Sequence, residues 1–433
     1  MNLAPRASNH NHNHNHGHSR RSDRFAAILA SLSLAAGLQL GLAGDASAAV
    51  TAGPVFNNPT GTVAEQRAVR TRLLDYIGQS ESGSSVRASV YHLWDEGLAQ
   101  ALADAHTRGV DVQLMLDSSD VSGADDPSYG ILSSALGTDL AQSSFVGLCP
   151  VDRSCLGQPA QGASINHNKF WLFSQLDGAS DVVVQTSSNM TPSSYSRFWN
   201  DAYVLPDNTA IYTAYRDYFT ELTGRDWANW RYTSTTSSPY KAYFFPRPAD
   251  DPSPGDTITA VLDNVTCTYT ESGTTKHTKV RVGMFKLTRL AVAQKLVALQ
   301  KAGCAVDIVY SQTDSGSSSG TWETLHASGG PALRCYNWDD DGNTKTAARI
   351  IHSKYLLIEG KYDGTASQKV LWTGSHNYSG PALTKNDEAL LKVDSNADHD
   401  AYVTAFNAAK AAAVPGTADS TNACKGISGT TED

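Results

Sequence analysis

Two segments, His167-Asn168-Lys169 and His352-Ser353-Lys354, each set an imidazole and an ammonium two residues apart at the head of an apolar run. The runs Phe170-Trp171-Leu172-Phe173 and Tyr355-Leu356-Leu357-Ile358 read as strands, and side chains at i and i+2 of a strand share a face. One His-x-Lys arises by chance in many chains, whereas two in the same local setting are a much stronger signal. A phosphodiester carries negative charge on two non-bridging oxygens, which Lys169 and Lys354 can each neutralise as point charges. One histidine in its neutral form can attack phosphorus while the other, protonated, donates to the leaving oxygen. Once a phosphohistidine has formed, the second histidine can take the proton of an incoming water or alcohol. This scheme needs no metal to hold the phosphate and no cofactor.

The elements that position these residues come from a duplication. Val86-Arg87-Ala88-Ser89-Val90-Tyr91 matches Val280-Arg281-Val282-Gly283-Met284-Phe285 at an offset that also carries Leu102 onto Leu296, Gly109 onto Gly303 and Val112 onto Val306. Both copies read strand, amphipathic helix, glycine, strand. In the first helix Leu98, Ala101, Leu102 and Ala105 follow the spacing of one buried face, and Gly109 and Gly303 sit where a C-terminal cap is expected. Each His-x-Lys strand is followed by a second apolar strand, Asp181-Val182-Val183-Val184 and Gln368-Lys369-Val370-Leu371-Trp372. This alternation predicts an α/β fold of two similar lobes, each a mixed, largely parallel sheet flanked by helices, with the active site at their interface.

The second strands end in Thr186-Ser187-Ser188-Asn189 and Gly374-Ser375-His376-Asn377, and Asn200-Asp201-Ala202 and Asn386-Asp387-Glu388 follow. Ser187, Asn189, Ser375 and Asn377 are neutral donors for phosphate oxygens. Each imidazole needs its far nitrogen held by an acceptor, and Asp201 and either Asp387 or Glu388 are the candidates. With its two His-x-Lys segments the constellation resembles the phospholipase D superfamily, and the resemblance covers about residues 60 to 400. It implies two α/β lobes sharing one site, a phosphohistidine intermediate and no catalytic metal. It also implies nucleophilic attack by His167 and acid/base work by His352. The motif aspartate of that superfamily is replaced by Ser174 in the first half and Glu359 in the second, Thr186 replaces a glycine, and Ala202 stands where the first Asn-x-Glu would have its acid.

The ends and the composition frame the function. Arg20, Arg21 and Arg24 precede an apolar stretch from Phe25 to Leu42, and Ala46-Ser47-Ala48 is a small-x-small cleavage site, so residues 1–48 read as a signal peptide. The Asn-His tract from Asn9 to His16 lies upstream of that cut. Without the leader the formal charge moves from -9 to -11, a poor global field for a polyanion. Residues 49–233 are the expected N-terminal lobe, 234–256 a linker, 257–415 the C-terminal lobe and 416–433 a tail. The Tyr240–Phe245 aromatics, placed in the linker, are candidates for substrate contact. Asp339-Asp340-Asp341-Gly342-Asn343 lacks the glutamate that closes a calcium loop and reads as a plain loop.

Six cysteines in an exported chain suggest disulfides: Cys149 with Cys155, Cys304 with Cys335 on neighbouring strands, and Cys267 with Cys424. The function expected is a secreted, extracellular phosphodiesterase of the phospholipase D type, hydrolysing phospholipid head groups with transfer to alcohols as a second outcome. The alternatives are a metal-independent nuclease and a silent phosphate- or lipid-binding member. The expected partners are phospholipid, or nucleic acid on the alternative, with transient membrane-surface contact, no stable protein partner and a monomeric state.

Overall fold

The computed structural model of the chain describes residues 50–121, 127–248, 255–314, 320–339, 346–415 and 424–425. The chain divides into two units, Met1–Ala46 and Ser47–Asp433, and every described residue lies in the second. The expected leader, the Asn-His tract, most of the Asp339–Asn343 loop and most of the 416–433 tail fall outside the described residues.

Each half begins as the repeat predicts. Ser85–Val90, the helix Glu96–Thr107 and Asp111–Leu116 form one crossover unit, and Lys279–Leu287, Leu290–Lys301 and Ala305–Thr313 form the other. The two strands of each unit pair in parallel. Asp95 starts the first helix by accepting the Leu98 N–H at 3.0 Å, an ordinary N-cap. Leu98, Ala99, Leu102 and Ala105 are its buried face. Gly109 and Gly303 end the helices at φ +93° and +95°, a conformation that costs glycine little.

Beyond the crossovers the sheets are mixed but not largely parallel. Each His-x-Lys strand returns through a tight turn, Lys169–Leu176 into Ala179–Thr186 and Lys354–Tyr362 into Thr365–Gly374, and hairpins can only be antiparallel. The strand that follows is also antiparallel in both halves. Among the described residues the two large sheets hold nine and ten strands, and Thr268–Glu271 with Thr274–His277 form a separate hairpin.

The expected linker differs from the structure. Thr233–Ser237 and Tyr240–Phe245 are the edge hairpin of the second sheet, with Tyr240–Phe245 paired to Glu388–Asp394. The Ser/Thr richness reflects an exposed edge strand, where β-branched threonine is at home. Phe244 and Phe245 are buried in core clusters, so that run is packing rather than a substrate surface.

Three disulfides form, two of them with partners other than expected. Cys149 pairs with Cys155, Cys267 with Cys304 and Cys335 with Cys424. Cys304 immediately precedes the strand Ala305–Thr313 and Cys335 ends the neighbouring parallel strand Ala332–Cys335, but Cys335 stands opposite Tyr310. At about 3.3 Å per residue the six-residue offset is roughly 20 Å, far beyond a disulfide's Cα separation of roughly 4–7 Å.

Apolar residues alternate along the His-x-Lys strands. Phe170 and Leu172 face a core shared by both sheets, with Tyr355, Leu357, Leu371 and Leu391 of the second half and the helices Thr209–Gly224 and Asn396–Ala412. Trp171 and Phe173 face the outer helices of the first half. Asp201 is fully buried in the shared layer. Its carboxylate accepts from the Tyr402 hydroxyl at 2.8 Å and from the Thr373 hydroxyl. Tyr402 and Thr373 belong to the second half, so one buried acid ties the halves together. Replacing Tyr402 with Phe should lower stability by about 1–3 kcal/mol, the cost of leaving a buried acceptor short of a donor. Urea denaturation measures this, and a midpoint unchanged from wild type would exclude a stabilising tie.

Candidate active site

Each histidine hangs on the backbone of the opposite half. The strand Arg349–Ile351, which leads into His352, pairs in parallel with Phe198 and Trp199 of the first half. The amides of His352 and Ser353 both donate to the Trp199 carbonyl at 2.9 Å. Reciprocally, the His167 amide donates to the Asp387 carbonyl at 3.0 Å, and the Asp387 amide to the Ile165 carbonyl at 3.1 Å.

The side chains repeat the exchange. His167 Nδ1 lies 2.8 Å from Glu388 Oε2, and His352 Nδ1 lies 2.9 Å from Asn200 Oδ1. Asn200 Nδ2 donates to the Ser194 carbonyl at 3.1 Å, which fixes the amide with its oxygen toward the imidazole. An amide oxygen or a carboxylate can only accept, so each Nδ1 carries a hydrogen. Both imidazoles are almost fully buried, at 1% and 0% exposure.

Glu388 was among the expected orienting acids; Asp387 and Asp201 do other work. The Asp387 carboxylate accepts the backbone amides of Cys155 at 2.6 Å and Leu156 at 3.1 Å, docking the disulfide loop of the first half onto the second. Burial pushes its carboxyl well above the usual carboxylate range, against the opposing pull of those amides. Asp201 is the interlobe tie already described.

Asn200 went unnoticed because the shared Asn-Asp dipeptide suggests the wrong alignment. The Ser187 amide donates to the Asp201 carbonyl, and the Ser375 amide donates to the Ala389 carbonyl. By strand register Asp201 therefore corresponds to Ala389, and Asn200 to Glu388. Ala202 is not the position that lost an acid. The first half instead carries a neutral amide where the second carries a carboxylate.

The lysines are placed alike. Lys169 Nζ donates to the His167 carbonyl at 3.1 Å, and Lys354 Nζ to the His352 carbonyl at 2.5 Å. Lys169 also stands 5.2 Å from the Tyr91 ring centroid and Lys354 5.3 Å from that of Phe285. Tyr91 and Phe285 are equivalent in the repeat, and each also borders its own half's histidine ring, at 5.5 and 5.1 Å. An aromatic face holds a dehydrated ammonium without supplying a full counter-charge, which suits a site that receives an anion. The repeat itself contained this signal.

Of the four expected neutral donors, the two serines are engaged locally. Ser187 Oγ donates to Asn200 Oδ1 at 3.0 Å and accepts from the Asp201 amide at 2.9 Å. Ser375 Oγ accepts from the Ala389 amide at 3.2 Å. Both brace the turn against the strand carrying the histidine's acceptor. Asn189 is fully buried. Asn377 Oδ1 accepts the Lys286 amide at 3.2 Å, leaving its NH2 as the donating end. The replaced motif acids are remote. Ser174 Oγ accepts from the Ser85 amide, and Glu359 pairs with Lys279 and Arg281, about 16 Å along the strand from Lys354.

His376, left open between pocket lining and solvated loop, is fully buried and stacks on Phe245 with ring centroids 4.2 Å apart. Arg289 Nη1 lies 3.4 Å from its Nε2. Burial, with the Arg289 and His167 charges nearby, holds His376 well below the usual imidazole range. Among the described residues, the one cluster with metal-ligand spacing is Cys149, Cys155 and Asp387, and its two sulfurs are joined to each other.

The sequence matches the family described as "Cardiolipin synthase, PLD-like domain" over residues 73–223 and 274–410, one stretch in each half. The chain is similar in structure to phosphatidylserine synthase from Haemophilus influenzae Rd KW20, with 13% identity, 84% of this chain and 87% of that one covered, and a TM-score of 0.51. It is also similar to polyphosphate kinase from Porphyromonas gingivalis, with 10% identity, 82% of this chain covered and a TM-score of 0.51, and it spans half the length of that kinase. A phospholipase D family member, Nuc from Salmonella typhimurium, matches at 16% identity over 40% of this chain and 95% of that one, with a TM-score of 0.30. No curated protein matches. At these identities the structural likenesses concern the fold.

Two buried histidines, His376 and His399, make stability acid-sensitive. Burial also lowers His399. A histidine depressed in the folded state takes up a proton on unfolding, so its stabilisation is present above the ordinary value of about 6.5 and is lost as pH falls below it. Wild type should lose up to about 1.4 kcal/mol per pH unit for each such histidine. His376→Gln should show the shallower loss of one fewer histidine in urea midpoints between about pH 7.5 and about pH 5. An identical slope in the variant would mean that folded His376 takes its proton normally.

Proposed function

The chain belongs to the cardiolipin synthase PLD-like domain family, within the phospholipase D superfamily, and from that premise we propose that it is an exported phosphodiesterase whose two halves share one reaction centre. The observation that carries this reading is the reciprocal anchoring of His167 on Glu388 and His352 on Asn200. His167 Nε2 attacks phosphorus, the P–N bond forms, and the carboxylate at Nδ1 offsets the positive charge that builds on the ring. The bond from phosphorus to the leaving oxygen breaks as protonated His352 gives that oxygen its Nε2 proton. A neutral amide at Nδ1 stabilises the imidazolium less than a carboxylate would, which suits His352 to donate. Neutral His352 then removes a proton from water or an alcohol, whose oxygen bonds to phosphorus as the P–N bond breaks. Lys169, Lys354 and the NH2 of Asn377 bear on the phosphoryl oxygens.

A phospholipid substrate is favoured by the negative formal charge, -9 for the whole chain, which disfavours a polyanion, and by a family description that names a phospholipid synthase. Three disulfides support an exported setting. Nuclease action is the second reading, favoured by the ring stack of Tyr91, His92 and Trp94, spaced 3.8 and 4.3 Å, which offers faces to bases.

Phosphatidylcholine vesicles with ethanol should yield phosphatidylethanol, and single-stranded DNA with EDTA should survive; the reverse pattern establishes the nuclease. His167→Ala should lower whichever activity appears by about a thousandfold or more, and retained turnover would sink the mechanism. Asn200→Asp places a carboxylate on His352 Nδ1 and holds its proton to higher pH. The alkaline limb of kcat/KM should therefore rise by about one pH unit. A stationary limb would remove His352 from the donor role.

A further inference from the structure

Arg289 breaks two local rules at once. It occupies the N-cap of the helix Leu290–Lys301 in extended backbone and makes no side-chain capping bond. A cation there faces the positive end of the helix dipole. The equivalent residue of the first half is Asp95, which caps its helix and pairs with Arg70 and the Tyr195 hydroxyl. The duplication thus contains its own control: one copy keeps the ordinary cap and the other has replaced it with the opposite charge.

The substituted arginine is buried at 8% exposure. Its Nε lies 2.9 Å from Asp256 Oδ2, and its Nη1 approaches His376 Nε2 at 3.4 Å and the Ser379 carbonyl at 3.5 Å. Nη2 is buried without a hydrogen-bond partner among the described residues. Glu388 Oε1, on the carboxylate that holds His167, is buried and unbonded in the same sense. The Arg289 and Glu388 charges act on each other, alongside Asp256. An arrangement that gives up a cap and leaves a buried guanidinium nitrogen without a hydrogen-bond partner is expected at functional sites.

We propose that Arg289 is a positioning residue for the reaction centre: from behind the Ser375-His376-Asn377 turn, its charge keeps the proton off the His167–Glu388 pair. Glu388 then remains an acceptor, and His167 keeps a bare Nε2 for attack. This rests on the phosphodiesterase reading for its catalytic consequence, though not for the charge effect itself. The other charged and titratable groups around the pair are Lys169 and Tyr91 beside His167, Asp387 before Glu388, Tyr218 from the helix Thr209–Gly224, His376 on the turn and Asp256 behind Arg289. His376 is held neutral, and Asp256 is the counter-ion of Arg289 itself.

The full chain and its Arg289→Gln, Arg289→Lys and Asp256→Asn variants are compared by kcat and KM against pH on bis(p-nitrophenyl) phosphate. NMR titration of the His167 ring signals is run in parallel. Arg289→Gln should move the acidic limb of kcat/KM and the His167 titration to higher pH by about one unit, with KM within about twofold. Arg289→Lys should keep the wild-type limb, and Asp256→Asn, which frees Arg289 of its counter-ion, should move it to lower pH. Unmoved limbs and an unmoved His167 titration in Arg289→Gln, whatever its melting temperature, would overturn the proposal. If Arg289→Gln does not fold, an unmoved Asp256→Asn profile and titration would do so. A wild type inert toward the diester would sink the phosphodiesterase reading, while the His167 titration would still decide the role of Arg289.

Discussion

The arrangement depends on one exchange: each half holds the other's histidine. A strand-end carbonyl takes the histidine's backbone N–H, and the next residue's side chain takes its Nδ1. Two hydrogen bonds from consecutive residues fix both the position and the tautomer of a ring that has almost no exposure. An imidazole removed from water needs such partners, because an unsatisfied buried polar group costs more than a hydrogen bond returns. For each histidine these partners come from the opposite half. The two halves are therefore joined by their histidines, and the buried Asp201 tie and the shared apolar layer hold the two sheets together at that seam.

The halves are alike where an anion would be met and unlike where protons would move. The lysines bond to the carbonyl of the histidine two residues before them, and each stands near an aromatic ring at the same position of the repeat. The histidine acceptors differ, carboxylate against amide, and so do the helix caps, acid against arginine. A symmetric substrate group, a phosphoryl with two equivalent oxygens, asks for symmetric cations. A reaction in which one base attacks while the other donates asks for unequal proton affinities.

Much of this was legible before the fold. The repeat, the crossover units and the His-x-Lys strands all follow from periodicity and spacing, since those signals are local, whereas the orienting acid of the second half stayed open between Asp387 and Glu388. What the sequence concealed depends on register and long-range pairing. The Asn-Asp dipeptide aligns Asn200 with Asn386, whereas the ladder aligns it with Glu388, and a two-residue slip is invisible without the partner strand. Cys304 borders one strand and Cys335 ends its neighbour, but only the register reveals that they lie at opposite ends. The Ser/Thr-rich stretch looked like a linker because edge strands share the polar composition of loops. Serines expected to reach a phosphate turned out to brace backbone, a choice that hydroxyl chemistry alone leaves open.

Internal duplication changes what a single sequence can support as argument. In an unrepeated chain, an arginine at a helix N-cap or an amide beside a histidine is one oddity among many, with no baseline. Here each has a counterpart in the same fold position, built on the same backbone and subject to the same packing. The difference between Asp95 and Arg289, like that between Asn200 and Glu388, is a substitution already made in a matched background. With Arg289 in the proposed positioning role, both pairs bear on the same imidazole–acceptor contacts, one directly and the other through a charge behind the turn.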